Sequence, residues 1–317
     1  MRTLGSAPPR TGTQPVRGTG DRIFAGSARG AALLVLATLA GVAAFLVWKS
    51  WPAVGAPPAQ LANRIGLTAY IGPLAFGTLL AAVLALVVAT PLGVAIALFV
   101  TFYAPRRLAR TLGHVVDLLA AIPSVVYGFW GIAALAPALV PVYGWLAEHL
   151  GFLPLFAGPG SATGRTMLTA GLVLAVMILP IISAIAREVF RQTPTPQLEA
   201  ALALGATRWE TIRIAVLPYG RSGIVGGAML GLGRALGETL AVALVLSISG
   251  GITFNLISHT NPGTIAANIA LQFPESTGVQ VNELIASGLV LFVITLAVNV
   301  LARWIVNRRA DFSGANA

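Results

Sequence analysis

The chain has 317 residues, of which 56% are hydrophobic and only 9% are charged, and it contains no cysteine. The mean hydropathy of +0.85 excludes an ordinary soluble domain and indicates a polytopic membrane protein. Without cysteine, disulfides, thiolate nucleophiles and iron–sulfur centres are excluded. A net charge of +10 is compatible with nucleic-acid binding, but most basic residues fall in alternate connections between apolar runs, as the positive-inside rule expects.

The amino-terminal part is predicted to be a tail followed by a membrane anchor. Residues 1–29 are rich in glycine, proline and threonine and carry several arginines, so we expect a disordered cytoplasmic tail. The apolar run at 31–48 can span a bilayer and begins too far along the chain for an ordinary cleaved signal peptide. We expect it to remain as an uncleaved anchor that opens a membrane domain over residues 30–307.

The next two apolar runs are each interrupted by proline. They cover residues 71–102 and 112–140. Pro91 predicts a kink or a tilt in the first of them. In the second, Pro123 followed by Ser124 predicts a local break whose freed carbonyl groups and hydroxyl line a cavity, although a kink filled by packing fits the same pattern. Asp117 is expected to snorkel or to contact a neighbouring helix.

The rest of the chain is predicted to add three spans and two external loops. The spans cover residues 167–186, 224–249 and 284–306, and the loops cover 141–165 and 250–282. The second loop is expected to carry a short surface helix near 265–273. Arginine clusters border these runs on one side of the membrane. The sequence therefore predicts six transmembrane helices, both termini in the cytoplasm and a cytoplasmic tail at 308–317.

A polar segment at 195–218 separates the fourth and fifth runs and is predicted to form a helix–turn–helix. Thr195 fits an N-cap and Gly205 a helix stop. Thr207 and Glu210 fit a capping box that opens a second helix, which is expected to end at residues 217–218. A helix–turn–helix can bind DNA, but this one is tethered at both ends to membrane spans. A docking surface for a cytoplasmic protein is therefore favoured.

The fifth apolar run contains two charged residues, Arg234 and Glu238. They are four residues apart, so on one helix they would share a face and could pair. Because an ionisable residue inside a membrane span is costly, it is by default a candidate functional site, and the alternative is a structural ion pair that locks two helices. Two GxxxG spacings in the same run predict close helix packing; they are Gly227–Gly231 and Gly233–Gly237.

Part of the polar segment resembles the EAA loop of ABC importer permeases, the element that seats against the ATPase subunit. The matching residues are Glu199, Ala200, Ala201, Gly205, Leu217 and Pro218. One position departs, because Ala215 stands where the family usually has isoleucine. The strings MLGLGRALGETLAV at 229–242 and LLAAIPSVVYGFWG at 118–131 resemble the PstC-type permeases of phosphate importers. The resemblance runs over residues 21–306.

This resemblance implies an all-α, MetI-like fold of the type-1 ABC importer permeases, with its core at about 72–304 and a coupling loop at 195–218. It implies a channel-forming subunit that imports inorganic phosphate across the bacterial inner membrane, without catalytic or metal-binding residues. Four residues are assigned to the substrate pathway: Ser124, Arg234, Glu238 and Thr239. The implied partners are a PstA-like permease, two PstB-like ATPases, a PstS-like phosphate-binding protein and membrane lipid, but no nucleic acid.

The motif GxxxxGK[ST] does not occur in the sequence, so ATP and Mg²⁺ are expected on the ATPase partner, and this chain is expected to bind no cofactor. Three alternatives stay open. The substrate could be another oxyanion, such as molybdate, sulfate or phosphonate, because an Arg–Glu pair does not choose among anions. An ion-coupled secondary transporter would instead contain inverted repeats with broken helices. A protein that reports phosphate state to a signalling kinase could combine that role with transport.

Overall fold

The computed structural model describes residues 19–61 and 64–310, and the regular secondary structure of this part is helical apart from an isolated bridge between Ile248 and Asn261. Most of the predicted amino-terminal tail and residues 311–317 of the predicted carboxy-terminal tail lie outside the described residues. The first helix begins at Thr19, within the stretch that was expected to be a disordered tail. The chain divides into two compact units, residues 1–48 and residues 49–317.

Twelve α-helices are found in the described residues: α1 Thr19–Val54, α2 Leu67–Leu98, α3 Arg106–Ala120, α4 Ser124–Trp130, α5 Ala136–Leu150, α6 Met167–Arg191, α7 Thr195–Ala203, α8 Arg208–Thr211, α9 Leu217–Leu236, α10 Leu240–Val245, α11 Ile265–Gln272 and α12 Val279–Ala310. Three wider π-helical turns join or extend them, at Phe99–Tyr103, Gly131–Leu135 and Ile212–Val216. Short 3₁₀ turns lie at Pro58–Gln60 and Phe273–Glu275.

Five stretches of the described chain are long and apolar enough to cross a membrane: Ile23–Val54, Leu67–Tyr103, Ser124–Leu150, Met167–Arg191 and Val279–Trp304. The protein is therefore a multi-pass membrane protein, but the predicted count of six spans is not confirmed. The third span lies later in the chain than the predicted 112–140, because a break after Ala120 separates α3 from α4. Residues 141–150, which were predicted to be external loop, are the end of α5.

The predicted fifth span at 224–249 is not one continuous helix. α9 begins earlier, at Leu217, and ends at Leu236. Residues 237–239 are not helical, α10 is only six residues long, and residues 246–250 are irregular apart from the Ile248 bridge. The arginines and glycines of α9 also lower its hydropathy, which explains why it is absent from the five apolar stretches.

α6 is the central helix of the larger unit and packs on both α2 and α9. The face of α2 that packs on α6 contains a row of buried alanines, and the corresponding face of α9 contains glycines. An added Cβ would lie 2.5 Å from the Phe190 ring at Gly220, and 2.3 Å from a Val189 methyl at Gly223. Gly227 and Gly231 continue this face against isoleucines of α6, so the first GxxxG prediction is confirmed.

The second predicted GxxxG pair does not pack against a neighbouring helix. A Cβ at Gly233 would meet no atom within 4 Å, and one at Gly237 would meet only the Gly233 carbonyl oxygen at 3.6 Å. Gly237 is instead the C-cap residue of α9, which ends at Leu236.

The predicted short helix near 265–273 is present as α11, but it is not a surface helix. Its residues from Ile265 to Asn268 are buried, and they pack against α2 and α12. The Ile265 amide donates a hydrogen bond of 2.9 Å to the Thr78 hydroxyl of α2. Residues between α10 and α12 therefore fold back into the helix bundle.

The glycine face of α9 gives a direct test of this packing. We expect Gly223→Ala to destabilise the protein by about 1–3 kcal/mol, because the methyl group would overlap the branched Val189 side chain. Gly226→Ala is the matched control on the same helix, since a Cβ there meets nothing within 4 Å. It should be neutral, or stabilising by about 0.5–1 kcal/mol through helix propensity. Thermal unfolding in detergent measures both, and equal midpoints for the two variants would contradict the packing.

Candidate transport site and coupling segment

Two helices that follow breaks, α4 and α10, pack directly on one another. A Cβ at Gly128 would lie 3.0 Å from the Ala241 Cα and 2.9 Å from a Leu244 methyl, and one at Gly131 would lie 2.8 Å from a Val245 methyl. Residue numbers rise together along both helices, so α4 and α10 run parallel. Their first turns, and the breaks that precede them, therefore lie at the same end of the pair.

The break before α4 is the one that Pro123 and Ser124 predict. α3 ends at Ala120, and Pro123 takes the extended conformation that precedes α4. The Tyr127 hydroxyl donates a hydrogen bond of 2.7 Å to the Leu119 carbonyl across this break. The same carbonyl accepts a backbone hydrogen bond of 3.3 Å from the Ile122 amide, so the Tyr127 hydroxyl is its second donor and joins the end of α3 to α4. Ser124, the first residue of α4, is half-buried.

The break before α10 separates the two charged residues of the fifth run. The Glu238 carboxylate accepts a hydrogen bond of 3.2 Å from the Ala241 amide, and so caps α10. Glu238 is buried, whereas Arg234 and Thr239 are half-buried. Both charged side chains are described, and no ion pair joins them. The predicted pairing is wrong because it assumed a continuous helix, and the chain leaves the helix at Gly237, between the two residues.

Arg234 lies in the last turn of α9, just before the break that precedes α10. Its Nε is buried and has no hydrogen-bond partner among the described residues. Because α4 and α10 run parallel, the break that follows Arg234 and the break before α4 lie at the same end of the pair. Tyr127 was not predicted as a site residue, although it lies one turn after the break that Pro123 predicts, and that position is a signal in the sequence.

Asp117 takes the interhelical role that was one of its two predicted roles. Its carboxylate accepts a hydrogen bond of 3.0 Å from the Arg187 guanidinium of α6, which makes an ion pair between α3 and α6. α3 carries exposed arginines and a histidine on one face and buries Val116 on another, so it is amphipathic and is not part of a span.

The polar segment at 195–218, the coupling segment, begins with the predicted helix–turn. α7 ends at Gly205, whose φ of +83° favours glycine. The Gly205 amide donates to the Leu202 carbonyl at 2.9 Å and the Ala206 amide to the Ala201 carbonyl at 3.1 Å, which is a Schellman motif. The N-cap prediction for Thr195 is off by one residue, because Pro194 occupies that position and Thr195 is already helical.

The second helix opens with the predicted capping box. The Thr207 hydroxyl accepts from the Glu210 amide, and the Glu210 carboxylate accepts from the Thr207 amide at 2.7 Å. The Thr207 amide and the Thr207 hydroxyl both donate to the Glu210 carboxylate, each at 2.7 Å, and because they stabilise its charged form they lower the pKa of Glu210.

The second helix does not end at residues 217–218 as predicted. Pro218 has no amide hydrogen, and its ring would crowd a carbonyl of an ideal α-helix. The π-helical turn Ile212–Val216 widens the helix just before it, and the chain continues into α9. The coupling segment is therefore connected to Arg234 by a continuous helical path.

The EAA-like residues occupy different environments in this segment. Glu199 and Ala200 are exposed and Ala201 is buried on α7, while Leu217 is half-buried and Pro218 is exposed at the start of α9. Large apolar side chains are exposed nearby: Leu204 is 87% exposed, Trp209 56% and Ile214 57%. An apolar patch of this kind is typical of a surface that binds another protein.

Comparison with known proteins agrees with this architecture. Residues 89–310 match the family described as the inner membrane component of binding-protein-dependent transport systems. The bacterial ABC transporter that imports the acidic polysaccharide alginate is similar in fold, with a TM-score of 0.56 over 90% of this chain and 99% of that chain, at 17% identity. The chain therefore belongs to the permease subunits of ABC importers, and its fold is that of the type-1 importers.

Two relatives narrow the assignment within this class. The chain is 46% identical over 306 residues to the phosphate transport system permease protein PstC 2 of Mycobacterium tuberculosis, covering 92% of this chain and 93% of that protein. It is 41% identical over 306 residues to the phosphate transport system permease protein PstC of Mesorhizobium japonicum, covering 93% and 92%. Within the importer permeases, the chain belongs to the PstC family.

Proposed function

We propose that this protein is the channel-forming permease subunit of an ATP-driven importer that moves inorganic phosphate into the cytoplasm. The observation that carries the proposal is the 46% identity, over nearly the full length of both chains, to a permease named for phosphate transport. The protein itself is not an enzyme, because ATP hydrolysis in such importers belongs to a separate subunit.

Arg234 is the residue that we propose contacts the anion during passage. Arg234 lies in the last turn of α9 with a half-buried side chain whose buried Nε has no partner among the described residues. A partly buried guanidinium without a partner is costly, so its presence beside the break favours a role in binding an anion. Among the described residues Glu238 forms no ion pair with it, and one Glu238 carboxylate oxygen instead caps α10. The guanidinium offers the planar fork of donors that suits two phosphate oxygens. The negative charge of Glu238 nearby would weaken the hold on the anion and so favour its release.

Ser124 and Thr239 are the other residues that we assign to the pathway. Both are half-buried and each lies at the start of a helix that follows a break. Their hydroxyl groups can donate hydrogen bonds to the unprotonated oxygens of phosphate and accept them from its protonated oxygens. Because α4 and α10 pack in parallel, Ser124 and Thr239 lie at the same end of the helix pair. Arg234 lies in the last turn of α9, just before this end in the chain.

The permease works in an ABC complex with ATPase subunits and a binding protein. We propose a PstA-like second permease, two PstB-like ATPases that hold ATP and Mg²⁺, and a PstS-like protein that delivers phosphate from outside. The coupling segment, with its exposed Leu204 and Trp209, is the surface that we assign to the ATPase. We also propose that both termini of the chain lie in the cytoplasm, which the distribution of arginines favours.

Uptake by the complete complex tests the function and the substrate. A bacterial strain that lacks its own phosphate importers is given the whole complex, and uptake of labelled phosphate is measured with and without excess sulfate or molybdate. We expect energy-dependent phosphate uptake that neither oxyanion reduces. Arg234→Gln should lower uptake tenfold or more at normal complex levels, as expected from loss of a charged hydrogen bond of about 1.5–3 kcal/mol. Strong competition by one of the other oxyanions would assign the importer to that anion.

The coupling segment gives a separate test. We expect Leu204→Asp to lower the amount of ATPase that copurifies with the permease about thirtyfold, as expected for a buried interface anchor. Insertion in the membrane should be unchanged, because Leu204 is 87% exposed in the single chain. Phe152→Asp is the control, since Phe152 is 78% exposed in the connection between α5 and α6. Equal ATPase recovery from Leu204→Asp and wild type would remove this surface from the ATPase contact.

A further inference from the structure

We infer that Tyr127 is a positioning residue that links movement of the coupling segment, through helix α3, to the break that lies beside Arg234. The inference rests on the function proposed above and adds a residue and a route to it. The route has three contacts: the ion pair between α6 and α3, the hydrogen bond across the break between α3 and α4, and the packing of Gly128, the residue after Tyr127, against α10.

The first contact ties α3 to the end of α6 that leads into the coupling segment. Arg187 lies one turn before the end of α6 at Arg191, and α7 begins at Thr195. Its guanidinium binds Asp117 at 3.0 Å, with side chains that are 14% and 53% exposed. Gly113 leaves room for it, because a Cβ there would lie 2.5 Å from the Arg187 Nη1. A shift of the end of α6 therefore acts directly on α3.

The second contact carries a shift of α3 across the break. The Leu119 carbonyl, two residues after Asp117, accepts the hydrogen bond of 2.7 Å from the Tyr127 hydroxyl. Tyr127 is only 6% exposed, so its ring is held by packing and cannot follow α3 freely. The backbone turn also joins α3 to α4, and this hydrogen bond is the side-chain contact to which we assign the transfer of movement between them.

The third contact brings the route to the pathway. The residue after Tyr127, Gly128, lies against Ala241 of α10, where an added Cβ would be 3.0 Å from the Ala241 Cα. Ala241 is also the residue whose amide donates to the Glu238 carboxylate. A change at Tyr127 therefore reaches the first turn of α10 and the break that separates it from Arg234. A line of contacts becomes a coupling route only if its members depend on one another energetically, and that dependence can be measured.

The test measures phosphate uptake and ATP hydrolysis together, in the complete complex reconstituted in proteoliposomes with its binding protein. Tyr127→Phe keeps the ring and removes the hydrogen bond to Leu119. We expect ATP hydrolysis to stay near the wild-type rate while phosphate transported per ATP falls about two- to tenfold, the effect of one net hydrogen bond. Asp117→Asn should lower the same ratio. The double variant should lose less than the product of the two single effects, because both interrupt one route.

Tyr143→Phe is the matched control. Tyr143 is also buried, and its hydroxyl is also hydrogen-bonded, at 2.6 Å to the Thr169 hydroxyl, but it joins α5 to α6 away from both breaks. We expect a comparable loss of thermal stability and an unchanged ratio of phosphate to ATP. If Tyr127→Phe prevents assembly, Asp117→Asn decides the question alone, because Asp117 is half exposed and its change leaves the core intact.

Three results would overturn the inference: an unchanged ratio in Tyr127→Phe, the same reduction in Tyr143→Phe, or strictly multiplicative effects in the double variant. With Tyr127→Phe unable to assemble, an unchanged ratio in Asp117→Asn would overturn it as well. Failure of the proposed function looks different, since the wild-type complex would then transport no phosphate at all.

Discussion

The hydrogen bond between the Glu238 carboxylate and the Ala241 amide is the contact on which the candidate site depends. It supplies an acceptor for a backbone donor in the first turn of α10, which has no helical partner, and so helps the chain to restart as a helix. The carboxylate that carries this cap forms no ion pair with Arg234 among the described residues. The break thus places a capping carboxylate and a guanidinium without an ion-pair partner side by side in the chain, and both belong to the candidate site.

Close packing around α6 holds this site in place and connects it to the coupling segment. The glycine face of α9 lets α9 approach α6 closely, with only the side chains of α6 between the two backbones. The π-helical turn before Pro218 keeps α9 continuous with the coupling segment, and the Arg187–Asp117 pair joins the end of α6 to α3. Movement at the coupling segment can therefore reach the breaks through rigid helices, which suits a permease driven by a separate ATPase.

Local sequence signals predicted the coupling segment well, because caps and turns depend on few neighbouring residues. Gly205, Thr207 and Glu210 act as predicted, and Pro123 marks a real break. The Arg234–Glu238 pair was predicted wrongly because spacing alone does not show that Gly237 ends the helix and Glu238 caps the next one. Burial of α11 depends on contacts with distant helices, which a short polar stretch of sequence does not encode.

Exchange of the two charges tests most directly whether the break, and not an ion pair, defines the site. The measurement is phosphate uptake by the complete complex carrying Arg234→Glu together with Glu238→Arg, compared with Arg234→Glu alone. The account predicts that both variants transport equally poorly, because the exchange removes the guanidinium from its position and the carboxylate cap from α10. Recovery of uptake to near the wild-type rate in the double variant would contradict it, and would show that the two residues form a pair in the working importer.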